Sequence, residues 1–211
     1  MPRMSVPKLV LASTSRYRRA LLDRLGLSYT VVDPGVDERA VDLPAPELVL
    51  RLSRLKAEAV AALHPNAVVI GADQAPALDD GILTKPGTRA AAIAQLERLA
   101  GREHELLTAV TLVHGETRLS HLDRHRLRLR PLGRAEIEDY VDRDVPLDCA
   151  GAYKIESLGI ALMERIEGED FTAIVGLPLV ALVRMLGRVG IPVLGVRAEP
   201  VSDSGASRSG D

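Results

Sequence analysis

The chain lacks tryptophan and has one phenylalanine and four tyrosines among its 211 residues. Aromatics make up 2% of a sequence that is 46% hydrophobic, so the core must be built from Ala, Val, Leu and Ile. With so few rings, each tyrosine counts wherever a base is to be stacked, and the aromatic platforms of an RNA-binding module are missing. The single cysteine, Cys149, excludes an internal disulfide and suits a reducing compartment. No apolar run approaches the length of a membrane span. Met1-Pro2-Arg3-Met4-Ser5 leads straight into a predicted strand with no signal-peptide core, so the cytoplasm is the expected location. Charge of neither sign dominates: 27 basic and 29 acidic residues give a net −2, so no cationic field holds a nucleic-acid polymer.

The length fits one α/β domain, or two lobes around a cleft. A domain of this size buries roughly 70% of the surface of its unfolded chain and needs no staples. Strands are predicted at Lys8 to Ala12 and Ser28 to Val32, with a helix from Arg16 to a Gly26 stop between them. A long helix follows Pro44-Ala45-Pro46, running from Glu47 to Leu63 with Leu48, Leu52, Leu55 and Ala59 on one face. The apolar run Ala67 to Gly71 reads as a central buried strand. Asp79-Asp80-Gly81 reads as a hairpin turn, and Thr88 as the N-cap of a helix stopped at Gly101. Strands return at Glu105 to Val113 and Arg118 to Leu132, where alternation at Arg126 to Arg130 predicts one wet face. Helices are predicted at Arg134 to Val141 and Leu177 to Leu186, with an irregular Gly-rich stretch from Ala150 to Phe171. The domain spans 1–195, and 196–211 reads as a disordered tail.

Four constellations carry chemistry. Ser13-Thr14-Ser15 joins a strand to a helix, where small residues and a helix N-terminus suit an anion, and Arg18 and Arg19 add forked donors. An ordinary turn with surface arginines fits equally well. Asp73 follows the buried run Val68 to Gly71, where a strand is expected to end and where open α/β sheets place ligands; it could hold Mg²⁺, orient water, or simply cap a turn. Asp37 and Glu38 follow the second strand, and Glu38 could share a cation with Asp73, although paired loop acids are usually just solvated. Lys56 lies in the long helix, and Lys85 stands before a proline that stiffens its loop, as a phosphate clamp needs; isolated lysines more often face solvent.

Other features read more plainly. Among His104, His114, His121 and His125 only the last two are spaced as a same-face pair, too few ligands for zinc. The arginines from Arg124 to Arg130 read as a wet strand face, and Cys149 as a small buried residue.

Taken in order, these segments resemble the Maf-like family of nucleotide pyrophosphatases. The matching stretches are Leu9 to Ser15, Val36-Asp37-Glu38, Lys56-Ala57, Gly71-Ala72-Asp73-Gln74, Lys85-Pro86, Leu99-Ala100-Gly101, Ala150 to Tyr153 and Val175 to Leu179, spread over roughly residues 8 to 187. The resemblance implies a mixed twisted sheet with flanking helices and two lobes around a deep nucleotide-binding cleft. It also implies cleavage of a nucleoside triphosphate to the monophosphate and pyrophosphate. Asp73 would be the proton acceptor, Glu38 a metal-linked acid, Lys56 and Lys85 phosphate contacts, and Mg²⁺ or Mn²⁺ the cation held by Glu38 and Asp73. Ser13, Ser15 and Arg18 would contact the substrate.

Within the family, the dTTP- and UTP-preferring branch usually has Thr after the catalytic Asp, an arginine pair after a Pro in the first loop, and Gln in the later Gly-rich loop. Here Gln74, Tyr17 and Glu156 stand there, and Cys149-Ala150-Gly151 and Glu164 to Gly168 look like the 7-methyl-GTP branch. That branch usually has Trp at Tyr17 and Pro at Arg16; the Arg16 change is expected to affect only the start of the helix. Tyr17 could offer a ring to a cationic base, Glu156 a carboxylate to a guanine edge, and Gln74 an amide. The expected partner is a nucleoside triphosphate, with no nucleic-acid polymer and no membrane, and a homodimer is admitted. The implied task is house-cleaning of modified nucleotides. A dTTP/UTP pyrophosphatase and a non-catalytic, septum-related nucleotide-binding regulator are the alternatives.

Overall fold

The computed structural model describes residues 7–38, 43–79 and 81–195. The predicted tail, 196–211, lies outside them, as does Asp80 of the predicted turn. In chain order the elements are β1 (Leu9–Ala12), α1 (Arg16–Asp23), β2 (Tyr29–Val32), α2 (Ala45–Leu63), β3 (Val68–Leu78), β4 (Gly81–Ile82), α3 (Arg89–Leu99), β5 (Glu103–His114), β6 (Thr117–Leu129), α4 (Arg134–Asp144), β7 (Met163–Glu167), α5 (Phe171–Val175) and α6 (Leu179–Arg188). Two short 3₁₀ turns, Ala150–Ala152 and Leu158–Leu162, precede β7. The strands form one mixed sheet in the order β2-β1-β3-β5-β6-β7, with β4 on β3. β1 runs parallel to β2 and β3, and the remaining pairs are antiparallel.

The local reasons are those read in the sequence. Thr88 caps α3 by accepting from Ala91 N, satisfying a donor the first turn would leave bare. On β6, Leu127 and Leu129 are buried while Arg126 is exposed and Arg128 sits half-buried at the rim. β7 is the strand the sequence hid. Met-Glu-Arg-Ile-Glu carries little β-branched or alternating signal and owes its conformation to pairing with β6.

Apolar packing lies on both sides of the sheet. One side buries Leu9, Leu11 and Ile70 against Leu21 and Leu22 of α1 and Leu182 and Leu186 of α6. The other buries Val10, Val69 and Val113 against Ala57 and Val60 of α2. A separate cluster joins Ile93, Leu96 and Leu99 of α3 to Ile137 and Val141 of α4, with Leu127, Tyr153 and Ile155. A cavity is lined both by Ala12 of the second of these clusters and by Tyr153 and Ile155 of the third.

Helix α2 is rotated from the face expected for it. Its buried side chains are Val49, Leu52, Ser53, Lys56, Ala57 and Val60, whereas Leu48 and Leu55 are half-buried and Ala59 is exposed. The buried stripe therefore carries Lys56 inward. Gly71 permits this, because a Cβ there would stand 2.3 Å from Ser53 O and 2.6 Å from Ala57 N. The helix backbone rests directly on the strand.

Candidate active site

Asp73 does not end its strand. β3 continues to Leu78, with Asp73 paired to Ala109 of β5. What stops is the neighbour: β1 leaves the sheet at Ala12, opposite Gly71, and β4 joins only at Ala77. Among the described residues, Ala72 to Pro76 therefore have a strand partner on one side only, and that gap in the sheet opens toward the cavity. Pro76, which has no N–H to give, is tolerated at such an open edge.

The acids and one lysine meet there. Lys56 Nζ lies 2.6 Å from Asp73 Oδ1 and 2.6 Å from Glu38 Oε1. Lys56 and Asp73 are buried, at 6% and 7% exposure, while Glu38 is exposed at the rim. Burial pushes the Asp73 carboxyl above its ordinary value of 3.8, against the pull of Lys56 and Arg18. Glu38 goes the other way. Its partial burial alone would raise it, but the Lys56 hydrogen bond and the charges of Lys56, Lys85 and Arg18 outweigh that and hold it below 4.5.

The cavity holds about 510 Å³. Ser13 to Arg18, Asp33 to Val36, Glu38, Lys56 and Gln74 line it from one side, and Lys85, Asp148 to Ala150, Tyr153, Ile155 and Glu156 from the other. Arg18 is anchored by Nε donating to Gly176 O at 3.0 Å and a terminal nitrogen donating to Ser13 Oγ at 3.3 Å. Gly176 takes φ +125°, a conformation that side-chain-bearing residues rarely adopt. Arg19 is exposed and turned away from the cavity. In the first loop, Ser15 N donates to Ser13 Oγ and Arg18 N to Ser15 Oγ, the helix cap. Those two N–H groups are thus satisfied within the loop, and the donors Arg18 offers are its side chain's.

The residues expected to read the base, Tyr17, Gln74 and Glu156, all line the same cavity. Gln74 Nε2 is taken up by Thr108 Oγ1, Ala173 O and Ile174 O, which leaves its carbonyl oxygen to act. Glu156 is exposed at the cavity wall, where partial desolvation pushes its carboxyl above 4.5. The ring of Tyr17 already carries the Arg16 guanidinium, 4.8 Å from its centroid. Arg16 therefore does more than start a helix: it donates to Tyr17 Oη at 2.7 Å and pairs with Asp148 at 3.3 Å. Cys149 is not the buried filler expected but part of the cavity wall, with its thiol pushed up to about 11 by burial. Tyr153, buried beneath the cavity, bonds His104 Nε2 at 2.9 Å; burial holds His104 down at about 4, so the imidazole is neutral. Neither Asp148 nor His104 had a sequence signal, since both act through contacts far away in the chain.

The family described as "Maf-like protein" matches residues 8–189. The chain belongs to the Maf-like family. This Maf-like chain is 50% identical over 186 residues to the 7-methyl-GTP pyrophosphatase of Xanthomonas oryzae pv. oryzae, covering 88% of this chain and 98% of the relative. It is 51% identical to the 7-methyl-GTP pyrophosphatase of Bordetella parapertussis, covering 89% and 95%, and 46% identical to that of Cupriavidus metallidurans, covering 90% and 96%. A solved Staphylococcus aureus Ham1 protein superposes on 58% of the chain, with 18% identity and a TM-score of 0.43.

The other features fall outside the site. His125 and His121 flank Asp123, with His125 Nδ1 at 2.8 Å from Asp123 Oδ1. Arg124, Arg126 and Arg128 pair with Glu105, Glu167 and Glu164, so acids on the neighbouring strands face the arginines of β6. No helix among the described residues is long and apolar enough to cross a membrane.

Proposed function

We propose that this chain hydrolyses the α–β phosphoanhydride bond of a nucleoside triphosphate, 7-methyl-GTP foremost, to the nucleoside monophosphate and pyrophosphate. The observation that carries the reading is the meeting of Asp73, Glu38 and Lys56 beside a nucleotide-sized cavity: Glu38 and Lys56 line it with Arg18 and Lys85, and Asp73 is buried against Lys56. The names of the relatives supply the substrate.

In this reading the triphosphate lies with its phosphates toward Arg18, Lys56 and Lys85, which balance its charge. Asp73 takes a proton from a water whose oxygen attacks the α-phosphorus in line. The bond from that phosphorus to the bridging oxygen breaks, and pyrophosphate leaves with the electron pair. A carboxylate with a raised pKa is the better base for this step. Lys56 fixes both acids. Attack at the α-phosphorus follows the family resemblance.

The donor set fits a divalent cation. Two carboxylates converging beside a phosphate site match Mg²⁺ or Mn²⁺, which take one or two carboxylates and complete their shell with phosphate oxygens and water. Glu38 and Asp73 would hold it, and when bound it would stabilise charge on the phosphate oxygens.

At the base end, the Tyr17 ring and the Glu156 carboxylate suit a cationic methylated guanine. The test is a panel of 7-methyl-GTP, GTP, UTP, dTTP and CTP with Mg²⁺ or Mn²⁺, scored by pyrophosphate release. Preference for 7-methyl-GTP supports the reading. Preference for UTP or dTTP replaces the substrate, and binding without any release makes the chain a nucleotide-binding regulator.

A further inference from the structure

The two sides of the cavity touch at its mouth. From the α1 side come Arg16 and Tyr17, and from the loop after α4 come Asp148 and Cys149, 131 or 132 positions away for each pair in contact. Tyr17 Oη is the hub. Arg16 donates to it at 2.7 Å, Cys149 Sγ lies 3.5 Å away, and it lies 3.5 Å from Asp148 Oδ1. Arg16 closes the ring by pairing with Asp148 Oδ2 at 3.3 Å while stacking over the Tyr17 ring. A guanidinium suits this role, because its planar fork can lie on a ring and still give two directed donors.

We propose that Arg16 and Asp148 form a clasp that fixes Tyr17 as a wall of the base-binding end and joins the two sides of the cleft, which makes them positioning residues for substrate specificity. The inference rests on the reading of this cavity as a nucleotide site. An unclasped tyrosine keeps its ring but loses its orientation, so base stacking weakens. The phosphate end, where Asp73 works, is left as it was. Arg16 also lends positive charge near Glu156, so the clasp tunes both groups that face the base.

Two measurements test the clasp. The first follows the nucleotide. Arg16→Ala, Asp148→Ala and Tyr17→Phe should each raise KM for the preferred nucleotide about threefold to tenfold with kcat little changed, as the loss of an exposed ion pair and a ring contact allows. They should also narrow the preference among nucleotides, and the charge swap R16D/D148R should restore part of the KM. The second needs no turnover. Cys149, the chain's only cysteine, sits in the clasp, so its labelling by a thiol reagent should run about threefold to tenfold faster in R16A and D148A than in wild type, and slow again in the swap. Wild-type labelling rates together with wild-type KM in R16A and D148A overturn the clasp. Faster labelling in a protein that hydrolyses none of the nucleotides keeps the clasp and rejects the proposed activity.

Discussion

Lys56 and Asp73 form a buried ion pair, Nζ to Oδ1 2.6 Å, across the contact between α2 and β3. A lysine so placed leaves water only because a second acid, Glu38, reaches it from the loop after β2. The pair is thus two-thirds of a charge cluster in which one cation balances two carboxylates, and its members respond differently to change.

Asp73→Asn should fold and lose at least about 10²-fold in pyrophosphate release, the usual cost of a missing general base. The amide oxygen still accepts from Lys56, and Glu38 still balances the ammonium. The melting temperature should therefore stay close to wild type, as a thermal melt beside the turnover assay will show.

Lys56→Met should be the harsher change. It leaves Asp73 buried with no cation in contact, a loss of roughly 3–5 kcal/mol at neutral pH. The sign of its pH dependence follows from the carboxyl. In the folded protein the Asp73 pKa already stands above 3.8, and losing the Lys56 charge raises it further. Such a group favours the fold below its unfolded pKa and loses that contribution as pH rises through the folded one. The deficit of K56M against wild type, read from melts between pH 5 and pH 8, should therefore grow with pH.

The same shift predicts the acid limb of the rate profile. Activity needs Asp73 ionised, so kcat/KM should begin to fall at a pH above the ordinary aspartate value. In a Lys56→Gln variant with residual turnover, the limb should move to higher pH. A limb that stays in place would detach Asp73 from the rate-limiting proton.

Gly71→Ala should act at a distance from any ligand. Its methyl would enter the backbone of α2 at Ser53 O and Ala57 N, which no rotamer change relieves. Overpacking of this kind costs about 1–3 kcal/mol. Because α2 carries Lys56, turnover should drop along with the melting temperature, whereas Gly187→Ala, with open space around its Cβ, should change neither much.

Removing divalent cations with a chelator should reduce pyrophosphate release to background, with recovery on adding Mg²⁺ or Mn²⁺. Glu38→Gln should raise the cation concentration needed for half-maximal rate, measured by titration at fixed nucleotide.

Much of this was legible in the chain. Thr88, Gly101 and the alternation about Leu127 and Leu129 announce their elements because capping and period-two burial are local. Asp73, Glu38, Lys56 and Lys85 stood out as residue types, but their meeting is set by the close approach at Gly71 and the early exit of β1, which are relations between segments. The face of α2 differs from its apolar pattern because Leu48 and Leu55 outweigh a lysine in any apolar count, and a buried lysine is intelligible only once its two acids are seen. The Arg16 contact to Asp148 and the pairing of β7 span the fold and leave no periodic trace.

The most direct measurement follows the products of 7-methyl-GTP with wild type and D73N side by side. The account predicts 7-methyl-GMP and pyrophosphate from wild type, and at least about a 10²-fold slower appearance of both from a folded D73N. Release of 7-methyl-GDP and orthophosphate, or equal rates from the two proteins, would contradict it.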